Sequence, residues 1–203
     1  MANICITDIT INAYTKEQKE GLKQINKLIE ESKGKIGAVY TEILAHSDIE
    51  GKDEVVTGRG EVTYTEISEN GEKLTIHCSD AWKPHLELFV ALVNTYASGA
   101  ALVFRAEEPG YDIYVSNDDT VVGTYYIDIY DNSSTTEKGK KLDDNSYYDL
   151  SESEAIAMLN DYFGATNTSI NGFTRLIDEV GGLNIHQFEN AEISDYSDIY
   201  LVA

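Results

Sequence analysis

Asn70-Gly71 limits the fold of this chain more than any other pair of residues. It stands inside "GRGEVTYTEISENGEKLTIHCSDAW", between two runs in which apolar and polar residues alternate. Asn-Gly in that setting is the strongest short-range sign of a β-hairpin. A helical period flanks the hairpin on each side. Ahead of it, Thr15 and Gln18 have the spacing of a capping box, Leu22, Ile25, Leu28 and Ile29 fall on one helical face, and Gly34 suits a left-handed helix end. After it, Pro84 suits a first helical turn, Leu86, Phe89, Val90, Val93 and Tyr96 repeat at helical spacing, and Gly99 closes the segment. The outer strands are "NICITDITINA", whose alternation breaks phase near Asp8, and the short apolar "AALVFRAEE". The order β-α-β-β-α-β is that of a split βαβ: an α+β, ferredoxin-like antiparallel sheet with helices on one face. The other face is left open to a partner. Residues 35–58 admit either a short helix or a strand.

A second hairpin is expected from Tyr111 to Asn132, which holds five tyrosines, five aspartates and no lysine or arginine. "YDIYVS" and "TVVGTYYIDIYD" read as strands joined by an Asn-Asp-Asp turn. Alternate strand residues share a face, so Asp112, Tyr114, Tyr126, Asp128 and Tyr130 form one expected surface, extended by Asp118, Asp119 and Asp131. Tyrosine offers a large apolar area with few rotors, and spaced carboxylates imitate backbone phosphates. Such a surface would suit an arginine-rich groove made for nucleic acid. It equally describes an ordinary edge hairpin, where Tyr favours strands and Asp discourages edge pairing.

The texture changes after Asp131. Residues 132–150 are polar, contain Lys138, Lys140 and Lys141, and read as a loop or linker. Ser151 with Glu154 opens a helix bearing Ile156, Leu159, Tyr162 and Phe163; Phe173, Leu176, Ile177 and Val180 mark a second, and residues 183–203 end as one or two strands. The expected organisation is a domain over 1–131, a linker over 132–150, and a helical pair plus strand over 151–203 packed on the first domain.

The net charge is −21. Residues 1–105 carry 11 Lys and Arg against 16 Asp and Glu, whereas residues 106–203 carry 4 against 20. That field repels nucleic acid and attracts basic protein surfaces. No apolar run approaches the ~18 residues of a membrane span, and the start lacks the basic and apolar regions of a signal peptide. Cys5 and Cys78 show no CxxC spacing and read as buried thiols. A cytoplasmic protein is expected. His46, His77, His85 and His186 show no metal-ligand spacing, and no nucleotide-binding or hydrolase motif occurs. No cofactor, metal or catalytic residue is expected.

"DAWKPHLELFVALVNTYASGAALVFRAEEPGYDIYVSND" places Trp82 and Pro84 at a helix start, then an apolar strand, then Glu107-Glu108-Pro109-Gly110 ahead of an aromatic strand. This segment, with the opening Met-Ala-Asn, resembles the YubB/Api92-like ferredoxin-like proteins of phages and plasmids over about residues 1–131. Where that family shows Gly and Phe after the final glycine, this chain has Tyr111 and Asp112. The resemblance implies a mobile-element origin and a fold, and no activity.

Three functions fit these features. The first is a non-enzymatic inhibitor of anti-CRISPR or anti-restriction type, acting in the cytoplasm of a bacterial host. It would occlude the basic groove of a nucleic-acid-handling complex, without touching nucleic acid or membrane. The second is a structural or regulatory module of a mobile element, possible as a homodimer through its open sheet face. The third is a carboxylate-dependent enzyme.

Overall fold

The computed structural model describes residues 3–33, 39–55, 58–129, 145–180 and 182–198. The chain divides into two compact units, residues 1–118 with 190–203, and residues 119–189.

The first unit is built on strands β1 (Ile4–Asn12), β2 (Gly60–Ile67), β3 (Lys73–Ala81), β4 (Ala101–Glu108) and β5 (Ile113–Ser116), with helices α1 (Lys16–Ser32), α2 (Val39–His46) and α3 (Glu87–Tyr96). The strands lie in the order β2-β3-β1-β4-β5, and a short β9 (Glu189–Asn190) completes a six-stranded sheet. Thr15 and Gln18 form the expected capping box at the start of α1. Leu22, Ile25 and Ile29 of α1 and Leu88, Phe89, Val90, Leu92 and Val93 of α3 pack with Ile9, Ile11, Leu74, Ile76, Leu102 and Phe104 from one sheet face. On β1 this core face takes the odd positions, Cys5 to Ile11, leaving Ile4 and Ile6 exposed. The phase break near Asp8 therefore divides four isoleucines between two faces.

Residues 35–58, open in sequence, hold α2 and a single 3-10 turn over Lys52–Glu54; residues 34–38 and 56–57 lie outside the described residues. Gly34, the expected stop for α1, is among them. Pro84 does not open α3, which begins at Glu87 without a side-chain cap. The Asn70-Gly71 hairpin forms, but across residues 68–72 rather than as a two-residue turn. Ser68 and Lys73 close it by Ser68 N–H donating to Lys73 O (2.9 Å), Asn70 Oδ1 accepts from Glu72 N–H (3.1 Å), and only Gly71 takes positive φ. A type I′ turn needs positive φ at both central residues, and Asn70 lacks it.

The second unit has a three-stranded antiparallel sheet, with β6 (Tyr125–Ile129) between β7 (Asn145–Leu150) and β8 (Leu183–Gln187). Helices α4 (Glu152–Phe163) and α5 (Thr174–Val180) complete it. Ser151 and Glu154 form the second expected capping box. Ile127, Ile129, Ala155, Leu159, Tyr162, Phe163, Phe173 and Leu183 make its core.

This division departs from the expected one. Residues 145–150, assigned to a linker, are a strand, because "NSYYDL" offers Tyr147 and Leu150 to the second unit's core. Residues 132–144 lie outside the described residues. The segment from Asn190 returns to the first unit, where Ala191 N–H donates to Ser116 O (3.0 Å) and Tyr196 meets Phe104 edge-on at 5.8 Å. Among the described residues no helix is long and apolar enough to cross a membrane.

Candidate functional site

The expected tyrosine–aspartate hairpin is not formed. β5 pairs with β4, and β6 pairs with β7 and β8 in the other sheet. Asp112, Tyr114 and Asp118 thus belong to the first unit, while Asp119, Tyr126 and Asp128 belong to the second. Tyr114 and Tyr126 are 4% and 6% exposed, so neither phenol is available as an anchor. Asp112 and Asp119 are exposed, Asp118 and Asp128 half-buried. Asp128 accepts from Ser146 Oγ–H at 2.8 Å, and Asp118 N–H donates to Ser116 Oγ at 3.0 Å. Tyr126 and Asp128 do share a face, as alternation requires, but Tyr126 packs there against Tyr148 at 4.7 Å. Tyr130 and Asp131 lie outside the described residues. The acidity is likewise not confined to one part: the first unit has 23 Asp and Glu against 11 Lys and Arg, the second 13 against 4.

A different surface meets the requirements of a contact site: the open face of the first unit's sheet. Strand register lays Tyr64, His77, Asp8 and Arg105 side by side across β2, β3, β1 and β4. His77 Nδ1 pairs with Asp8 Oδ1, and the Tyr64 ring stands 5.2 Å from the imidazole. Tyr64 Oη–H donates to Glu66 Oε2 (2.8 Å), a bond that raises the phenol pKa because ionisation would lose it. These contacts hold the row in place within the sheet. The next row is Glu61, Ser79, Ile6 and Glu107. An open groove of about 240 Å³ begins there, lined by Asn3, Ile4, Arg59, Glu61, Ser79 and Ala81 among others.

Beyond Ala81 the backbone turns sharply. Trp82 takes φ 76°, in the left-handed region that disfavours side chains with a Cβ. Trp82 N–H donates to Asn3 O (3.1 Å) and Ala81 N–H to Arg59 O (2.8 Å), which hold the conformation. The indole is 42% exposed and meets the Tyr111 ring, 58% exposed, at 5.8 Å and 65°. A non-glycine residue held there costs about 1–2 kcal/mol. Trp82→Gly is therefore expected to leave thermal stability equal or higher while deleting the indole; a lower Tm would show that the ring supports the fold instead.

Beneath the sheet lies a buried polar network. Asp80 accepts from Tyr40 Oη–H (2.6 Å) and Thr7 Oγ1–H (2.8 Å), and burial pushes its carboxyl up to about 6. Burial also raises Cys5 to about 12 and holds Cys78 and Tyr40 well above their ordinary values. The two thiols are therefore inert packing groups. Among the described residues, no group of three or more His, Cys, Asp or Glu is placed to hold a metal ion.

The sequence marked Trp82 only through the resemblance and Ile6 only as a strand residue. A signal for both was present. Ile4 and Ile6 are out of phase with Ile9 and Ile11 on an unbroken strand, so one pair must face outward. No protein-family model, curated protein or solved structure matches this chain.

Proposed function

We propose that this protein is a non-enzymatic docking protein that seats the open sheet face of its first unit on a cationic, partly apolar surface of another protein. The observation carrying this reading is Trp82: an exposed indole kept in a disfavoured backbone conformation beside a second exposed ring. Strain retained at such a position points to a use for the side chain, and Trp and Tyr dominate contact hot spots. Ile4, Ile6 and Tyr64 continue the apolar contact, and a net charge of −21 opposes docking of a second copy while favouring a basic partner.

Within this proposal the first unit is a ferredoxin-like domain. Its strand order β4-β1-β3-β2, with α1 after β1 and α3 after β3, supports that assignment. The resemblance to phage and plasmid proteins supports a mobile-element origin. The partner of this reading is a basic nucleic-acid-handling complex of the host cytoplasm, inhibited by occlusion in the manner of an anti-CRISPR or anti-restriction protein. Charge alone supports that identity, since the tyrosine–aspartate hairpin does not form.

The test is capture from bacterial lysate with the wild-type protein and with Ile6→Asp and Trp82→Ala. A species retained by wild type, released by salt, and bound at least about tenfold more weakly by both variants is expected, since buried anchors contribute about 2 kcal/mol or more. Retention of every captured species by both variants would refute the assignment of this face.

A further inference from the structure

We propose that the groove over Ser79 and Ala81 receives one extended segment of the docking partner, in which a cation and a carboxylate two residues apart flank an apolar residue. This deepens the docking reading and rests on it for the partner.

Strand register builds the groove. Arg59, just ahead of β2, stands beside Ala81 of β3 and Ile4 of β1, since Ala81 N–H donates to Arg59 O (2.8 Å) and Ala81 pairs with Ile4. Glu61, Ser79 and Ile6 form the next row. β3 therefore supplies a floor of two small side chains, the β2 side a charged wall, and β1 an apolar wall whose isoleucines are both exposed. The walls are two strand spacings apart, about 10 Å, wide enough for one extended chain. None of the core-facing Cys5, Cys78 and Tyr40 lines the groove, so it opens on the docking face.

The fold itself makes no use of the charged wall. Among the described residues neither the Arg59 guanidinium nor the Glu61 carboxyl makes an ion pair or hydrogen bond, although both are exposed and stand two residues apart. Two residues of extended chain advance about 7 Å, so a segment lying along β3 repeats the period of the wall beside it. Its alternate side chains turn to opposite sides. A carboxylate then meets Arg59, a cation meets Glu61, and the residue between them lies against the isoleucines. The Ser79 hydroxyl, also without a partner among the described residues, lies under the segment's backbone and donates to a carbonyl there. Opposite signs in one wall select a segment of mixed sign over a purely basic one.

Blocked, dye-labelled heptapeptides with the centres Lys-Leu-Glu, Lys-Leu-Lys and Lys-Ser-Glu, each flanked by serines, would be titrated with the full chain. Salt at about 0.15 M largely screens charges more than about 8 Å away. Fluorescence polarisation reads the affinities. Wild type is expected to bind Lys-Leu-Glu about tenfold more tightly than Lys-Leu-Lys, and several-fold more tightly than Lys-Ser-Glu. Arg59→Glu should invert the first preference. Arg59→Glu combined with Glu61→Arg should restore it, because the segment then lies in the opposite direction. Both positions are exposed and unpaired, so these variants keep the fold.

Attraction to the net charge of −21 alone would rank Lys-Leu-Lys first for every variant, and that order would overturn the proposal. So would equal binding of Lys-Ser-Glu, a double variant that fails to regain the preference for Lys-Leu-Glu, or no saturable binding to wild type up to about 1 mM. Failure here with Ile6-dependent capture intact would sink the segment receptor alone. Capture independent of Ile6 with the peptide preferences intact would sink the wider docking face alone.

Discussion

Gly21→Ala is expected to lower the stability of the first unit by about 3 kcal/mol, at the upper end of what overpacking a core produces. On an isolated helix the same change would help, since alanine is favoured over glycine by about 1 kcal/mol in a helix interior. Packing reverses the sign. Gly21 sits in α1 where that helix passes the end of α3, and an added Cβ would stand 1.9 Å from Tyr96 O and 2.6 Å from Tyr96 C. Both contacts are backbone, so no side-chain rotation relieves them; one helix must move. Gln18, one turn earlier, donates from Nε2 to Ser98 O (3.0 Å), and that bond would be broken by the same displacement. Chemical denaturation of the two proteins measures the difference. An equal or higher midpoint for the alanine variant would show that α1 and α3 are not in such close approach.

Asp80→Asn is expected to remove a pH dependence of about 3 kcal/mol, since each tenfold change in proton affinity on folding corresponds to about 1.4 kcal/mol. The folded-state value of Asp80 is raised from 3.8 to about 6, chiefly by burial. A raised carboxyl holds its proton in the folded state at a pH where the unfolded chain has already lost it. Stability from this group is therefore highest below pH 3.8, falls as pH rises through the window from 3.8 to about 6, and stays lowered above it. Repulsion among the other carboxylates of the chain also grows over that range, so wild type alone does not isolate the effect. The difference between wild type and Asp80→Asn does: the curves should diverge through the window and run parallel above it. Curves parallel throughout would mean that Tyr40 and Thr7 stabilise the ionised carboxyl enough to cancel its burial.

Both positions show which parts of this protein could be read from residues alone. The capping boxes at Thr15 and Ser151 formed as expected, because a cap is decided by residues three apart. So did the outer strands β1 and β4 and the two strands of the Asn70-Gly71 hairpin, whose alternation is itself the record of one buried and one open face. The close approach at Gly21 carried no local mark, since it depends on a residue 75 positions away. Asp80 stood in an ordinary alternating strand, and its burial beside Tyr40 follows from the placement of α2.

The candidate site divides in the same way. The outward pair Ile4 and Ile6 was implied by the phase break on β1, and the aromatic and acidic character of Tyr111–Asn132 was plain. What residue order could not say was which strands those tyrosines would join. Period two assigns the faces of a strand but not its neighbour; pairing is settled by competition among segments far apart in the chain. β5 found the edge of β4, while β6 was taken between β7 and β8, and the phenols of Tyr114 and Tyr126 were buried. Local spacing determined the helices, caps and strand faces of this protein. Only the tertiary structure decided that Trp82 and Tyr111 stand exposed side by side, because exposure depends on what else packs nearby.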